Sequence, residues 1–238
     1  MQLIVLAAGK GSRLPKKFRQ QPKCLTKING TSLLKKNLIF FNYFKKRIIV
    51  GGYKKNLLQK ITKENNFELV VNKRYRTTNM VESLFVPYKK ISKDIVVCYG
   101  DVIFNHTLYN ILNKSGNIMP VYTKWYQLWS KRMKKKYIPD DAENLISKGN
   151  VLQSIGGKIH KKKPKFQYMG VFKLTQRSYL NMYKYYKKIN NNKIDMTSFI
   201  NECLLNKIIK FKITKYEDYW FEIDNLNDIK VTEKNLKW

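Results

Sequence analysis

A chain of 238 residues, 43% hydrophobic and 13% aromatic, can bury a substantial core, which excludes a disordered composition and fits one domain. Its 48 Lys+Arg against 16 Asp+Glu leave a formal charge of +32, a footprint open to nucleic-acid binding, yet the lysines are spread along the chain beside abundant Asn, Ile, Tyr and Phe, as an A/T-rich coding sequence gives. No apolar run approaches the roughly eighteen residues of a membrane helix, and three scattered cysteines without metal-ligand or CxxC spacing exclude a disulfide or zinc scaffold and point to a reducing cytoplasm.

The opening residues have no positive flank and only a short apolar part, so 2–8 reads as a strand buried on both faces rather than as a signal peptide. A loop rich in Gly, Lys and Pro follows to Pro22. Leu33, Leu34, Leu38 and Phe41 then recur at helical spacing and predict a helix over 32–43, capped by Thr31 or Ser32. Strands at 47–51, 67–72 and 94–99 alternate with helices at 54–64, 79–85 and 106–113. That rhythm predicts an α/β, Rossmann-like fold, a mostly parallel central sheet with helices on both faces. Gly100-Asp101 falls just past the carboxyl end of a strand, the edge where open α/β sheets place ligands, and the glycine loop lies on the same edge.

Beyond residue 118 the pattern loosens. Strands are expected at 118–122, 144–147, 151–155, 167–174, 209–215 and 220–224, with an aromatic stretch at 125–133. Helices are expected near 176–188 and 197–205 and from 226. These segments suit a smaller antiparallel extension that shapes a pocket. Without repeats or a long linker, 1–238 reads as a single domain with halves 1–117 and 118–238.

Leu6-Ala-Ala-Gly-Lys-Gly-Ser-Arg13 is the strongest local signal. Small residues after a strand let backbone amides approach a phosphate, and Arg13 adds a fixed charge. No GxxxxGK[ST] aligns here. The third Gly of GxGxxG is missing, with Pro15 standing where a helix should run. An ordinary turn is the alternative for a bare GxG. Pro22-Lys23-Cys24-Leu25 changes that balance by following so closely.

Together Leu6–Leu14 and Pro22–Leu25 resemble the LAAGxGxRL and PKxL motifs of the nucleotidyltransferases of the sugar-nucleotide pyrophosphorylase superfamily, whose GT-A-like nucleotidyltransferase fold the resemblance implies here. Asn79-Met80 with Ser83, Leu128–Met133, Asp140–Glu143, Gln167–Gly170, Met196–Phe199 and Trp220–Asp224 extend the likeness to its phosphocholine/phosphoglutamine cytidylyltransferase-like group. The resemblance implies a cytidylyltransferase joining CMP from CTP to a small phosphorylated or phosphonate headgroup, with release of pyrophosphate, in surface-polysaccharide or lipid decoration. The half 1–117 would then mainly bind nucleotide and 118–238 the acceptor. Leu6, Ala7, Ala8, Gly9, Lys10, Gly11, Ser12, Arg13, Lys23, Asn79, Met80, Ser83, Tyr99 and Gly100 are the implied nucleotide-binding residues, with Lys23 and Arg13 catalytic. Asp101 and Asp224 are the implied Mg²⁺ ligands, with a helix cap as the alternative reading of each.

Trp125, Trp129, Lys131, Arg132, Asp141, Glu143, Tyr168 and Glu222 are expected to bind the acceptor. Aromatic faces and the acids Asp140, Asp141 and Glu143 suit a cationic headgroup, whereas Lys131 and Arg132 suit its phosphate or carboxylate. Aromatic stripes are also common in cores. Exposed aromatics near 125–129 would permit a homodimer. Three alternatives stay open: a sugar-1-phosphate nucleotidyltransferase; a glycosyltransferase, for which Asp101-Val-Ile offers only one acid of a DxD; and a non-catalytic nucleic-acid binder. His106 and His160 carry no evident chemistry. The Lys-rich segment after Arg13 and the basic stretch 158–165 depart from the family pattern.

Overall fold

A computed structural model describes residues 1–159 and 163–236; His160 and the first two lysines of the 161–163 run lie outside the described residues. In chain order the first strands are β1 (Gln2–Ala7), β2 (Lys27–Ile28), β3 (Thr31–Ser32), β4 (Lys46–Gly51), β5 (Glu68–Val71), β6 (Ile95–Tyr99) and β7 (Val102–Phe104). Then come β8 (Ile118–Tyr122), β9 (Glu143–Lys148), β10 (Val151–Lys158), β11 (Gln167–Tyr168), β12 (Val171–Leu174), β13 (Lys212–Tyr216) and β14 (Trp220–Glu222). The helices are α1 (Leu33–Lys36), α2 (Leu38–Phe41), α3 (Asn56–Glu64), α4 (Met80–Phe85), α5 (Leu108–Leu112) and α6 (Trp125–Arg132), followed by α7 (Ile138–Asp141), α8 (Gln176–Ile189), α9 (Met196–Leu205) and α10 (Leu226–Asn235).

One ten-stranded sheet has the order β5-β4-β1-β6-β12-β8-β13-β10-β9, with β11 beside β8. β5, β4, β1 and β6 are parallel, as are β8 and β13. The remaining pairings in that sheet are antiparallel, so the expected mixed α/β architecture is the one observed. Alternation along β1 explains why both faces are covered. Leu3 and Val5 join a core with Phe40, Phe104 and Trp129, while Ile4 and Leu6 join a second with Leu84, Tyr179 and Phe199.

Three departures from the sequence reading bear on the site. The helix expected over 32–43 is two short helices. Ser32 caps α1 by accepting from Lys35 N, but Asn37 ends it and spends its buried amide on β7, donating to Val102 O at 2.8 Å. The strand expected over 167–174 is broken at Gly170, which has φ +70° and lies so close to Tyr99 that a Cβ would sit 2.9 Å from that ring. Neither α7 nor β7 was expected, and β7 proves decisive. It pairs antiparallel with β14, Phe221 opposite Ile103, and Ile223 N donates to Asp101 O at 3.0 Å just beyond the ladder. Two acids distant in sequence thereby face each other.

Candidate functional site

The site lies at the carboxyl edge of the parallel strands. β1 runs into the glycine loop, and Gly11 turns at φ +66° with its Cα packed on the Lys23 stem, where a Cβ would meet Lys23 Cβ at 3.3 Å. Pro22 starts the 3-10 turn Lys23–Leu25. Lys23 Nζ thus lies 2.7 Å from Asp101 Oδ2 and 2.6 Å from Asp224 Oδ1, and Arg13 Nη2 is 2.7 Å from that same Asp224 oxygen. Asp101 lies with Gly100 in the turn between β6 and β7, so it caps no helix. Asp224 caps none either, because Asn225 caps α10 in a capping box with Asp228.

Burial alone would lower the Lys23 pKa, but Asp101 and Asp224 outweigh it and hold the ammonium above the ordinary lysine range. Burial opposes ionisation of Asp224 too, and Lys23, Arg13 and Arg132 bring its pKa below normal. Glu222 faces the opposite balance. Burial, then Asp224 and Asp101, push it up to about 8. Oxygens of Asp101, Glu222 and Asp224 lie within 4.8 Å of one another. Asp101 Oδ1 is buried without a hydrogen-bond partner. An all-oxygen donor set with one unspent oxygen fits a hard divalent cation.

Two cavities meet at this edge. The smaller, about 140 Å³, is lined by Leu6, Ala8, Gly9, Asn79, Met80 and Ser83 of the expected nucleotide-binding set, together with Asn72, Tyr75 and Thr78. Asn72, just past the end of β5, donates to Ser83 Oγ of α4 at 3.0 Å, and both residues line this cavity. The larger, about 310 Å³, takes in Arg13, Asp101 and Asp224 and shares Asn79 and Met80 with the first. Trp129, Asp141, Glu143, Tyr168 and Glu222 of the expected acceptor set line it, and Tyr99 of the expected nucleotide set lies here rather than in the smaller cavity. Ala7 and Gly100 line neither. Gly100 is wedged beneath, its N–H donating to Leu6 O at 2.9 Å. Lys10 and Ser12 are exposed on the loop and also line neither.

Trp125, Lys131 and Arg132 do not reach the larger cavity. Trp125 is 3% exposed in the core, its indole N–H donating to Pro164 O. Lys131 points away to Asn235 Oδ1. Arg132 is a buried strut. Its Nε and Nη2 meet both Asp228 oxygens at 2.8 and 3.3 Å, its guanidinium lies 4.6 Å from the Trp129 ring, and Asp228 also accepts from the backbone N–H of Asp224. Trp129 is itself only 3% exposed and stacks on Trp220, so these two tryptophans offer no exposed surface for a second subunit. Asp140 faces Lys158 on the surface.

Gln167, Gly170, Asp195, Met196, Thr197 and Trp220 line the larger cavity without having been singled out as site residues. The motifs Gln167–Gly170, Met196–Phe199 and Trp220–Asp224 pointed at most of them; Asp195 reads from sequence only as the cap of α9, which it also is. Six of the chain's sixteen acids line this cavity, and among the described residues Arg13 is the one cation in its lining, although Lys23 and Arg132 pair with Asp101, Asp141 and Asp224 from behind the wall. Asp195, Glu143 and Glu222 are left without a cation of the described residues at contact distance, which suits a positive group of a ligand.

Residues 3–124 match the family model of the MobA-like NTP transferase domain. The chain is 27% identical to the CTP:phosphoglutamine cytidylyltransferase of Campylobacter jejuni over 97% of its own length and 98% of that protein. It is 28% identical to the choline-phosphate cytidylyltransferase of Haemophilus influenzae, over 58% of this chain and 57% of that one. Among solved structures, the CTP:phosphocholine cytidylyltransferase of Streptococcus pneumoniae superposes with a TM-score of 0.79 at 19% identity, covering 99% of each chain.

Proposed function

The chain belongs to the family of MobA-like NTP transferase domains and is a nucleotidyltransferase, and from that premise we propose that it transfers CMP from CTP to a small phosphorylated or phosphonate acceptor bearing an amine or quaternary ammonium. Pyrophosphate is the second product. The choice of CTP is supported by the likeness to cytidylyltransferases over nearly the whole chain. The observation that carries the acceptor is the larger cavity, whose aromatic walls and acids suit a cation beside the phosphate-handling pair Lys23 and Arg13.

In this reading the triphosphate lies along the glycine loop, with its base in the smaller cavity beside Asn79, Met80 and Ser83. The acceptor's phosphate oxygen attacks the α-phosphorus in line. One oxygen–phosphorus bond forms as the bond to the bridging oxygen breaks, and pyrophosphate carries away the electron pair. Asp101 and Asp224, with Glu222 in reach, would hold Mg²⁺, which when bound supplies neutralisation of phosphate charge. Lys23 and Arg13 neutralise charge developing on the oxygens of the reacting phosphoryl group. Trp129, Tyr168, Asp141 and Glu143 orient the acceptor's cationic end and hold its phosphate in place for attack. The buried state of all three cysteines is consistent with work in a reducing compartment, where the product would feed decoration of surface polysaccharide or lipid.

The test is pyrophosphate release with Mg²⁺, each of the four NTPs being offered with phosphocholine, phosphoethanolamine, aminoethylphosphonate, phosphoglutamine and glucose 1-phosphate. Release with CTP and an amine-bearing acceptor is expected, and Asp101→Ala should abolish it in a protein whose circular dichroism is unchanged. Release with glucose 1-phosphate alone would overturn the acceptor. Undiminished turnover by Asp101→Ala at limiting Mg²⁺ would remove the metal assignment.

A further inference from the structure

Lys23 holds a position that needs explanation. Its Nζ sits between Asp101 and Asp224 at 2.7 and 2.6 Å, where a cation shared by those carboxylates would be expected. Arg13 closes on Asp224 from outside. Two cations therefore match the two carboxylates they touch. The side chains of Lys23, Asp101 and Asp224 are only 13%, 18% and 6% exposed, so these charges are weakly screened by water. A divalent ion entering this cluster would meet a site already neutral and two positive groups at contact distance.

We infer that Lys23 and Arg13 are resident counter-ions of the metal carboxylates in the nucleotide-free protein, so that divalent cation and nucleoside triphosphate bind with positive coupling. The inference rests on the proposed nucleotide and metal sites. Both counter-ions can leave. Arg13 is 66% exposed on the glycine loop, and Lys23 carries its charge on a flexible four-carbon stem at the loop's edge. A triphosphate brings oxygens that compete for both, and once they turn toward it the carboxylates are bare. The site then carries net negative charge, and Asp101 and Asp224 would be free to hold a divalent cation. Arg132, the third cation near Asp224 at 3.9 Å, cannot exchange in this way: it is 2% exposed and anchored to Asp228. It keeps Asp224 in place while the other two move.

The coupling is reciprocal by linkage, so it can be read on the free protein without turnover. Mn²⁺ binding, followed by the electron paramagnetic resonance of free Mn²⁺, should be weak in the nucleotide-free wild type. Lys23→Met should bind Mn²⁺ at least about tenfold more tightly. Lys23→Arg, which keeps the charge, should stay close to wild type, and Lys27→Met, on the exposed face of β2, should not change. In parallel, metal-free CTP binding is measured in EDTA by quenching of tryptophan fluorescence; Asp224→Asn, which frees Arg13 and leaves Lys23 only one of its two carboxylate partners, should bind CTP several-fold more tightly than wild type.

Equal Mn²⁺ affinity in wild type and Lys23→Met, with CTP still bound by the wild type, overturns the inference and leaves the proposed function standing. Tightening in both Lys23→Met and Lys27→Met overturns it as well, since net charge alone then explains the effect. If none of the four NTPs binds while Lys23→Met still gains Mn²⁺, the coupling and the proposed function fall together.

Discussion

Glu143 is the side chain on which acceptor choice should turn. Its carboxylate accepts from Thr197 Oγ1 at 2.9 Å, and the Gln167 amide clamps its backbone on both sides, accepting from Glu143 N and donating to Glu143 O. It is therefore held rigidly at the cavity wall. Burial, followed by Asp195 and Asp141, raises its pKa above the usual carboxylate range. Protonation then begins at a higher pH than for an ordinary glutamate, so under the proposed function attraction for a cationic headgroup should weaken as the medium turns acid. Glu143→Gln keeps the shape and the Thr197 hydrogen bond. It should raise the acceptor KM about tenfold with little change in the KM for CTP, and the remaining acceptor KM should lose its rise on the acid side. Steady-state kinetics across pH with both substrates varied checks this. Scarcity made Glu143 legible in the sequence: with only sixteen acids, a pair such as Asp141 and Glu143 stands out. Arg132 was not legible, because its partner Asp228 lies 96 positions away and meets it only when α6 packs on α10.

At the scale of elements, Gly170 separates β11 from β12 and so turns Tyr168 and Gly170 toward the larger cavity. Its carbonyl accepts from Tyr99 N at 2.9 Å, and its missing side chain is what lets the Tyr99 ring lie against it. Gly170→Ala should cost roughly 1–3 kcal/mol, from the positive φ and from the contact with Tyr99, and should weaken acceptor binding more than CTP binding. Denaturant melts and the two KM values read the two effects. Strands and helices were mostly readable because apolar runs and helical spacing are local signals, as in β1, β4, β6 and α8. The break at Gly170 was not, because a lone glycine within an apolar run reads as continuous strand until its neighbour across the sheet is known. For the same reason β7 escaped notice. Val102–Phe104 is a three-residue strand whose partner is β14, and nothing near it in sequence announces a ladder.

For the whole molecule, a single sheet runs through both halves of the chain, and the two cores on its faces enclose all three cysteines. Burial pushes the Cys24 and Cys203 thiols up to about 12, and Cys98 well above the usual range. Thiolate is therefore scarce at neutral pH, and none of the three thiols is exposed. Native protein should give no colour with a disulfide reagent on the timescale in which denatured protein titrates its three thiols. A fast-reacting thiol in the native state would contradict the packing. The sign of the linkage follows. Above about pH 9 the unfolded chain releases these protons and the folded one retains them, so stability falls as pH rises from there. The charge of +32 has no comparable organisation: most of it lies on exposed lysines, while six of the sixteen acids line one cavity.

The ladder of β7 on β14 also sets the order in which the protein becomes itself during synthesis. Arg13 and Asp224 are joined across 211 positions, among the longest separations the chain offers. A nascent chain that has not reached β14 holds the glycine loop, Lys23 and Asp101 but has neither Glu222 nor Asp224. Assembly of this cluster is thereby deferred until β14 has been made, and a product truncated before it lacks the carboxylate of Asp224 to which both Arg13 and Lys23 are moored.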